Sequence, residues 1–143
     1  AVPVIKAAIK QIDSGAGIVI LDSPPGTSCP FIETVAAADF VILVTEPTPF
    51  GLSDLRQSVE TLRSIDKPCG VIINRAGLGN NAVRDYVDRQ EIPLLMEIPF
   101  SKKTAEIYSE GKILAGTDPA FAGSLVSMVQ NIIKDHGNSS YKR

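Results

Sequence analysis

Histidine and cysteine are scarce in this chain, and no long apolar run occurs in its 143 residues. The one histidine, His136, falls in a polar C-terminal stretch, so a Ser-His-Asp triad cannot be built around it. The two cysteines, Cys29 and Cys69, are too few for a disulfide framework and lack metal-ligand spacing. They read as a reduced cytosolic pair; the competing reading makes one of them a zinc or iron–sulfur ligand contributed to a larger site. No stretch approaches the roughly 20 apolar residues that cross a bilayer, and no signal peptide is visible, so a cytoplasmic location is expected. A net charge of -2 gives no reason to expect nucleic acid as a partner. Internal repeats, low-complexity tracts and domain linkers are also missing. The chain opens at Ala1 without methionine, directly in a helical pattern, which suggests a processed or truncated product.

What is present fits one soluble globular domain. Hydrophobic residues make up 44% and charged residues 21%, enough of the former for a real core. Short β-branched runs predict strands at Ile18–Leu21, Val41–Thr45, Gly70–Ile73 and Leu94–Ile98. These runs lack polar alternation, as parallel strands covered on both faces do. Helical spacing lies between them. Val2, Ile5, Ile9 and Ile12 form a stripe over 2–13. A second helix is expected over 30–38, with Pro30 at its first position after Thr27 or Ser28. A third, over 52–65, places Leu52, Leu55, Val59, Leu62 and Ile65 at spacings of three and four. Others follow the Gly-Leu-Gly-Asn turn (81–90), Ser101 (102–110) and Thr117-Asp118-Pro119 (119–134). The last helix carries Leu125, Val126, Met128, Val129, Ile132 and Ile133. It lacks the Lys/Arg face of a membrane anchor and reads as a helix docked on the sheet. Residues 135–143 read as a frayed tail.

Strand–helix repeats with short connections imply an α/β fold: a mostly parallel sheet sandwiched by helices, with right-handed crossovers. Ligands bind such sheets at the carboxyl ends of the strands. The loops that matter therefore begin at Asp22, Glu46, Asn74 and Pro99.

The most informative stretch is 18–30, Ile-Val-Ile-Leu-Asp-Ser-Pro-Pro-Gly-Thr-Ser-Cys-Pro. A carboxylate at a strand end can hold magnesium through water, and the metal neutralises phosphate charge. Pro24 and Pro25 stiffen the turn. Gly26 lets its N–H approach a γ-phosphate, and Thr27 and Ser28 sit at a helix start that favours anions. The competing reading is a structural strand–turn–helix with a solvated aspartate. Asn74 offers a donor and an acceptor that can read an adenine edge, or else simply forms a turn. Phe100 can flank a flat base, or pack in the core. Thr45-Glu46-Pro47-Thr48-Pro49 forms a stiff polar loop at the same edge, able to touch nucleotide or a second subunit. Glu46 as a general base would lack a histidine partner.

Together, Val19–Pro30, Val41–Gly51, Gly70–Arg75 and Ile92–Phe100 resemble the MinD/ParA/Mrp family of P-loop ATPases. The branch most similar carries an inserted ferredoxin domain and is often labelled cobyrinic acid a,c-diamide synthase-like. The resemblance spans roughly residues 15–134. It implies that Asp22 is the magnesium-linked carboxylate and that Gly26 is the glycine near the γ-phosphate. It also implies that Asn74, with Arg75, reads adenine and that Pro99 and Phe100 line the base pocket. ATP and Mg2+ are the implied cofactors, an iron–sulfur cluster being possible in the inserted domain, and a face-to-face homodimer is the implied assembly. No Gly-x-x-x-x-Gly-Lys-Ser/Thr motif occurs in the chain. By the resemblance, that loop, its strand and the ferredoxin cysteines would precede Ala1. The chain alone is then expected to be inactive as an ATPase, to close the resulting gap by re-pairing 18–22 or to dimerise. The alternative function is a non-catalytic assembly module or a metal-transfer scaffold contacting an unknown protein. Amidoligase chemistry on a corrin is disfavoured, because nothing resembles a glutaminase site.

Overall fold

A computed structural model describes residues 2–13, 15–23 and 26–137. The expected turn prolines, Pro24 and Pro25, and the tail from 138 to 143 lie outside the described residues. In chain order the elements are α1 (Val2–Ile9), α2 (Cys29–Ala36), β1 (Val41–Thr45), α3 (Pro49–Ser64), β2 (Cys69–Ala76) and α4 (Ala82–Arg89). They are followed by β3 (Leu94–Pro99), α5 (Lys102–Ser109), α6 (Leu114–Thr117) and α7 (Pro119–His136). The protein is α/β, with a parallel sheet flanked by helices. The sheet has three strands among the described residues, in the order β1-β2-β3.

Local chemistry explains where the helices begin. Thr48 accepts a hydrogen bond from the Gly51 N–H at 3.0 Å, and Pro49 takes the first turn of α3, where its missing N–H costs nothing. Asp118 caps α7 by accepting from the Phe121 N–H at 3.0 Å, again just before a proline. Ser101 caps α5 through the Thr104 N–H at 3.4 Å. Ser28 precedes α2 without a side-chain cap. The first helix is shorter than its apolar stripe: it ends at Ile9, and Asp13 accepts from the Gly15 N–H in a turn beyond it. The one-turn α6 has no periodic signal in the sequence, being too short to show one.

The strand register sorts side chains between the two faces. Val41, Leu43 and Thr45 pair with Cys69, Val71 and Ile73, and share a face with them. Helices α2, α3 and α4 cover this face with Phe31, Val35, Leu55, Val59, Leu62, Val83 and Val87, all in one buried cluster. Gly70 opens a close approach on the other face, where a Cβ would meet the Leu95 side chain at 2.7 Å. Ile72 is buried there too, but Ile42 and Val44 are 39% and 63% exposed. Lys67 ties the C-terminal end of α2 to the start of β2 by donating to the Ala36 and Ala38 carbonyls at 3.1 and 2.6 Å. The last helix has one buried residue, Met128, so its docking is slight. Its final turn reaches the start of β1, where the His136 and Phe40 ring centroids lie 4.6 Å apart.

The expected strand Ile18–Leu21 does not form. Ile18, Val19 and Ile20 are 58%, 44% and 87% exposed and enter no ladder. A β-branched run supplies the preference for an extended chain, but a strand exists only against a neighbour about 4.8 Å away. Among the described residues β1 is paired on its β2 side alone, and nothing presents a ladder to 18–21.

The energy of the fold sits in the α3–sheet contact. Leu62 is 0% exposed within the cluster. Leu62→Ala is expected to cost about 2–5 kcal/mol in urea unfolding, through lost transfer energy and a residual cavity. Val126→Ala, at a site 55% exposed on α7, is expected to stay within about 0.5 kcal/mol of the parent. Equal losses at the two sites would contradict this placement of the core.

Candidate nucleotide-binding rim

The carboxyl ends of β1, β2 and β3 form a common rim, and the chain leaves each strand there by a distinct device. After β1 it winds tightly. The Thr48 N–H donates to the Glu46 carbonyl at 2.7 Å, and Thr45 donates its hydroxyl to the Gly51 carbonyl at 3.0 Å. Gly51 is obligatory in this winding, since a Cβ would lie 2.4 Å from the Glu46 carbonyl oxygen.

After Asn74, β2 bulges. Pairing skips from Asn74↔Ile98 to Ala76↔Pro99, and the skipped residue, Arg75, has φ of 53°. A left-handed conformation at a residue with a Cβ costs energy and clusters at functional segments. Here it turns Arg75 toward Glu46, with Nε 3.4 Å from one carboxylate oxygen and a terminal nitrogen 3.5 Å from the other. This forked pair joins the ends of β1 and β2. Both side chains are well exposed, so the pair contributes roughly 0–1 kcal/mol and acts as a positional latch. After β3, the Phe100 N–H donates to the Ala76 carbonyl at 3.1 Å, which joins the ends of β2 and β3.

The rim thus brings together Glu46, Asn74, Arg75, Pro99 and Phe100. The Asn74 side chain is partly exposed and makes no hydrogen bond among the described residues, so its donor and acceptor are both open. Phe100 is 47% exposed, which fits a ring available for stacking and corrects the competing reading of it as core. The Arg75 guanidinium is engaged by Glu46, an exposed pair at the ends of β1 and β2.

Asp22 and Gly26 lie on the irregular segment between α1 and α2. Asp22 is exposed and makes no hydrogen bond or ion pair among the described residues. The strand expected to end at Asp22 does not form, so no ladder fixes the direction of its carboxylate. Gly26 has φ of 97° with open space around it, so glycine is required there by the backbone angle. Among the described residues no three of His, Cys, Asp and Glu gather into a metal-binding group. Cys29 begins α2, whereas Cys69 begins β2 beside the other end of that helix, held there by Lys67. About 10 Å of helix separates those ends, so the two thiols do not fit a shared cluster.

Two features were not legible as parts of the site. The 77–81 loop leans on the β1–α3 turn so closely that a Cβ on Gly79 would lie 2.1 Å from the Pro47 carbonyl oxygen. Its Asn80 then starts α4 by accepting from the Ala82 N–H at 3.0 Å. A cavity of about 60 Å³ remains between these turns, lined by Pro47, Ile73, Asn81, Arg84 and Glu97 among others. It is water-sized, so a ligand at this rim lies on an open shelf. Arg84 and Glu97 form an ion pair beside it, and the hydrogen bond that Arg84 donates to the Glu97 carboxylate holds the guanidinium pKa above its ordinary value. The Glu46–Arg75 pair had a signal only in hindsight: opposite charges just past the ends of two predicted strands.

No known family profile matches the chain. It is 32% identical over 95 residues to an uncharacterised protein of Methanocaldococcus jannaschii, covering 66% of this chain and 32% of the relative. A second uncharacterised protein of the same archaeon is 31% identical over 95 residues, covering 66% of this chain and 33% of the relative. The chain thus spans about a third of the length of the curated relatives it matches.

Gly79 tests the geometry of the rim. Gly79→Ala must accommodate both a φ of 89° and a backbone contact, and is expected to lose at least about 2 kcal/mol in urea unfolding. Gly77→Ala, with a similar φ but open space, is expected to lose about 1 kcal/mol. An equal effect at both positions would show that the loop does not press on Pro47.

Proposed function

We propose that this chain is the adenine-side half of an ATP-dependent switch domain of the MinD/ParA type. The observation that carries the reading is the rim itself. Asn74, whose amide makes no hydrogen bond among the described residues, and the exposed Phe100 lie at the carboxyl ends of the neighbouring parallel strands β2 and β3, the edge where such sheets take ligands. The Asn74 amide would read the edge of the base, Pro99 and Phe100 would flank its plane, and Asp22 would meet magnesium through water. The Gly26 N–H, on a left-handed turn near a helix start, would face the terminal phosphate. Magnesium, when bound, neutralises phosphate charge. The Gly-x-x-x-x-Gly-Lys-Ser/Thr loop, which cradles phosphate and carries its own lysine, is not among these 143 residues. The chain alone is therefore a recognition element without the electrostatic machinery that accelerates phosphoryl transfer.

Calorimetric titration tests this directly. Mg-ATP is expected to bind weakly, in the millimolar range, with no turnover. Asn74→Ala should reduce the preference for ATP over GTP, because the base edge is read by that amide. Equal binding of the two nucleotides by the parent chain would overturn the adenine reading, and sustained hydrolysis would overturn the division of labour.

A second reading has its own observation. Among the described residues the outer edge of β1 is unpaired, and Val44 and the 18–20 run are exposed apolar surface. Free edges with apolar faces recruit pairing. The chain is proposed to self-associate through this edge, or to assemble there with an unidentified protein partner. Sedimentation equilibrium is expected to show concentration-dependent dimers that Val44→Lys suppresses. A strictly monomeric parent chain would remove the homodimer from the proposal.

A further inference from the structure

The opposite end of the sheet carries a cluster that the nucleotide reading does not use. Helices α3 and α4 run back from the rim, and their C-terminal turns lie at the amino ends of the strands. Arg63 occupies the last turn of α3 and Arg89 the last turn of α4. With Arg56, Glu60, Tyr86 and Gln90 they line an open depression of about 330 Å³. Three guanidinium groups therefore face one carboxylate.

Each arginine is held by a neutral group. Arg63 donates to the Gln90 side-chain oxygen at 2.5 Å and to the Gln90 carbonyl at 3.0 Å. Arg89 donates its Nε–H to the Asp85 carbonyl at 3.0 Å. Arg56 lies over the Tyr86 ring, 5.4 Å from its centroid. No carboxylate lies within ion-pair distance of any of the three among the described residues. The groups are thus fixed in place while their charge is uncompensated, and most of their N–H donors remain open. Part of this arrangement serves the helix ends, where cations complement the carbonyl dipoles. That role accounts for Arg63 and Arg89; Arg56, about two turns upstream of Arg63, is placed instead by its stack on Tyr86.

We propose that this depression is an oxyanion site that takes the phosphoryl group of a small ligand. A dianion matches the surplus of three cations over one anion, which a single carboxylate would only half offset. Guanidinium forks suit phosphate oxygens in pairs. Tyr86 lines the same depression, and its phenol is a hydrogen-bond donor. The volume suits a small molecule. This site lies at the far end of the strands from Asn74 and Phe100 and does not depend on the nucleotide reading.

The test uses the full chain and inorganic phosphate as the probe, at fixed ionic strength, followed by NMR. Saturable shifts are expected at the Arg56, Arg63 and Arg89 side chains and the Gln90 amide, with half-saturation in the low-millimolar range. Acetate, carrying the single charge of a carboxylate, is expected to bind roughly tenfold more weakly. Arg56→Gln and Arg89→Gln, which leave the Arg63–Gln90 tie intact, are each expected to weaken phosphate roughly tenfold at unchanged far-UV circular dichroism. The absence of saturable shifts, shifts confined to the carboxyl rim, or variants that bind as the parent does would each overturn the proposal. Acetate binding as tightly as phosphate would overturn the phosphoryl assignment.

Discussion

The parallel ladder around β2 is the constraint on which the rest of the molecule depends. Among the described residues it is the one strand bonded on both sides, and Val71, Ile72 and Ile73 are 0%, 6% and 3% exposed within it. Each ladder bond is worth only about 1 kcal/mol net, but unmade in this apolar setting it would cost more. The strand therefore fixes β1 and β3 together or not at all. The rim loops inherit their positions from it, because each leaves a strand whose register β2 sets.

Coverage of that ladder is uneven, and the unevenness connects fold to function. On one face α2, α3 and α4 bury a continuous apolar cluster. On the other, β1 leaves Ile42 and Val44 exposed, and the apolar 18–20 run lies beside no partner strand. The two ends of the sheet differ as well. The carboxyl end presents an open amide and an aromatic ring near an internally satisfied ion pair. The amino end gathers arginines whose charge has no internal partner. These are different chemistries, suited to a flat neutral base and to a compact anion respectively.

Much of this was legible in the sequence where the signal is local. Val41–Thr45 matched its strand because a β-branched run with no polar alternation, bounded by Phe40 and Pro47, admits few other states. Thr48-Pro49, Ser101 and Asp118-Pro119 each announced a helix because capping is a matter of one side chain and the next turn. The failures are non-local. The run 18–21 has the same local character as β1, yet a strand needs a neighbour that no local rule supplies. Ile12 extends the apolar stripe of α1, but the Asp13–Gly15 turn bends the chain there. In the site, the exposure of Asn74 and Phe100 followed from their places at strand ends. The engagement of Arg75 did not, because it arises from a bulge and from the neighbouring strand. The arginine depression likewise arises from how two helices lie together, which spacing within either helix does not reveal.

The Glu46–Arg75 latch has a consequence for how the strands find one another. Leu43, Ile42 and Val44 are all apolar, but displacing β1 by a single residue would exchange the buried Leu43 for the exposed Val44. That displacement would carry Glu46 about 3.3 Å along the strand and turn alternate side chains to the wrong side. The two charges meet in one alignment only, with Thr45 beside Ile73. The salt bridge thereby marks the native alignment, while the burial of one face of β1 supplies the energy that selects it.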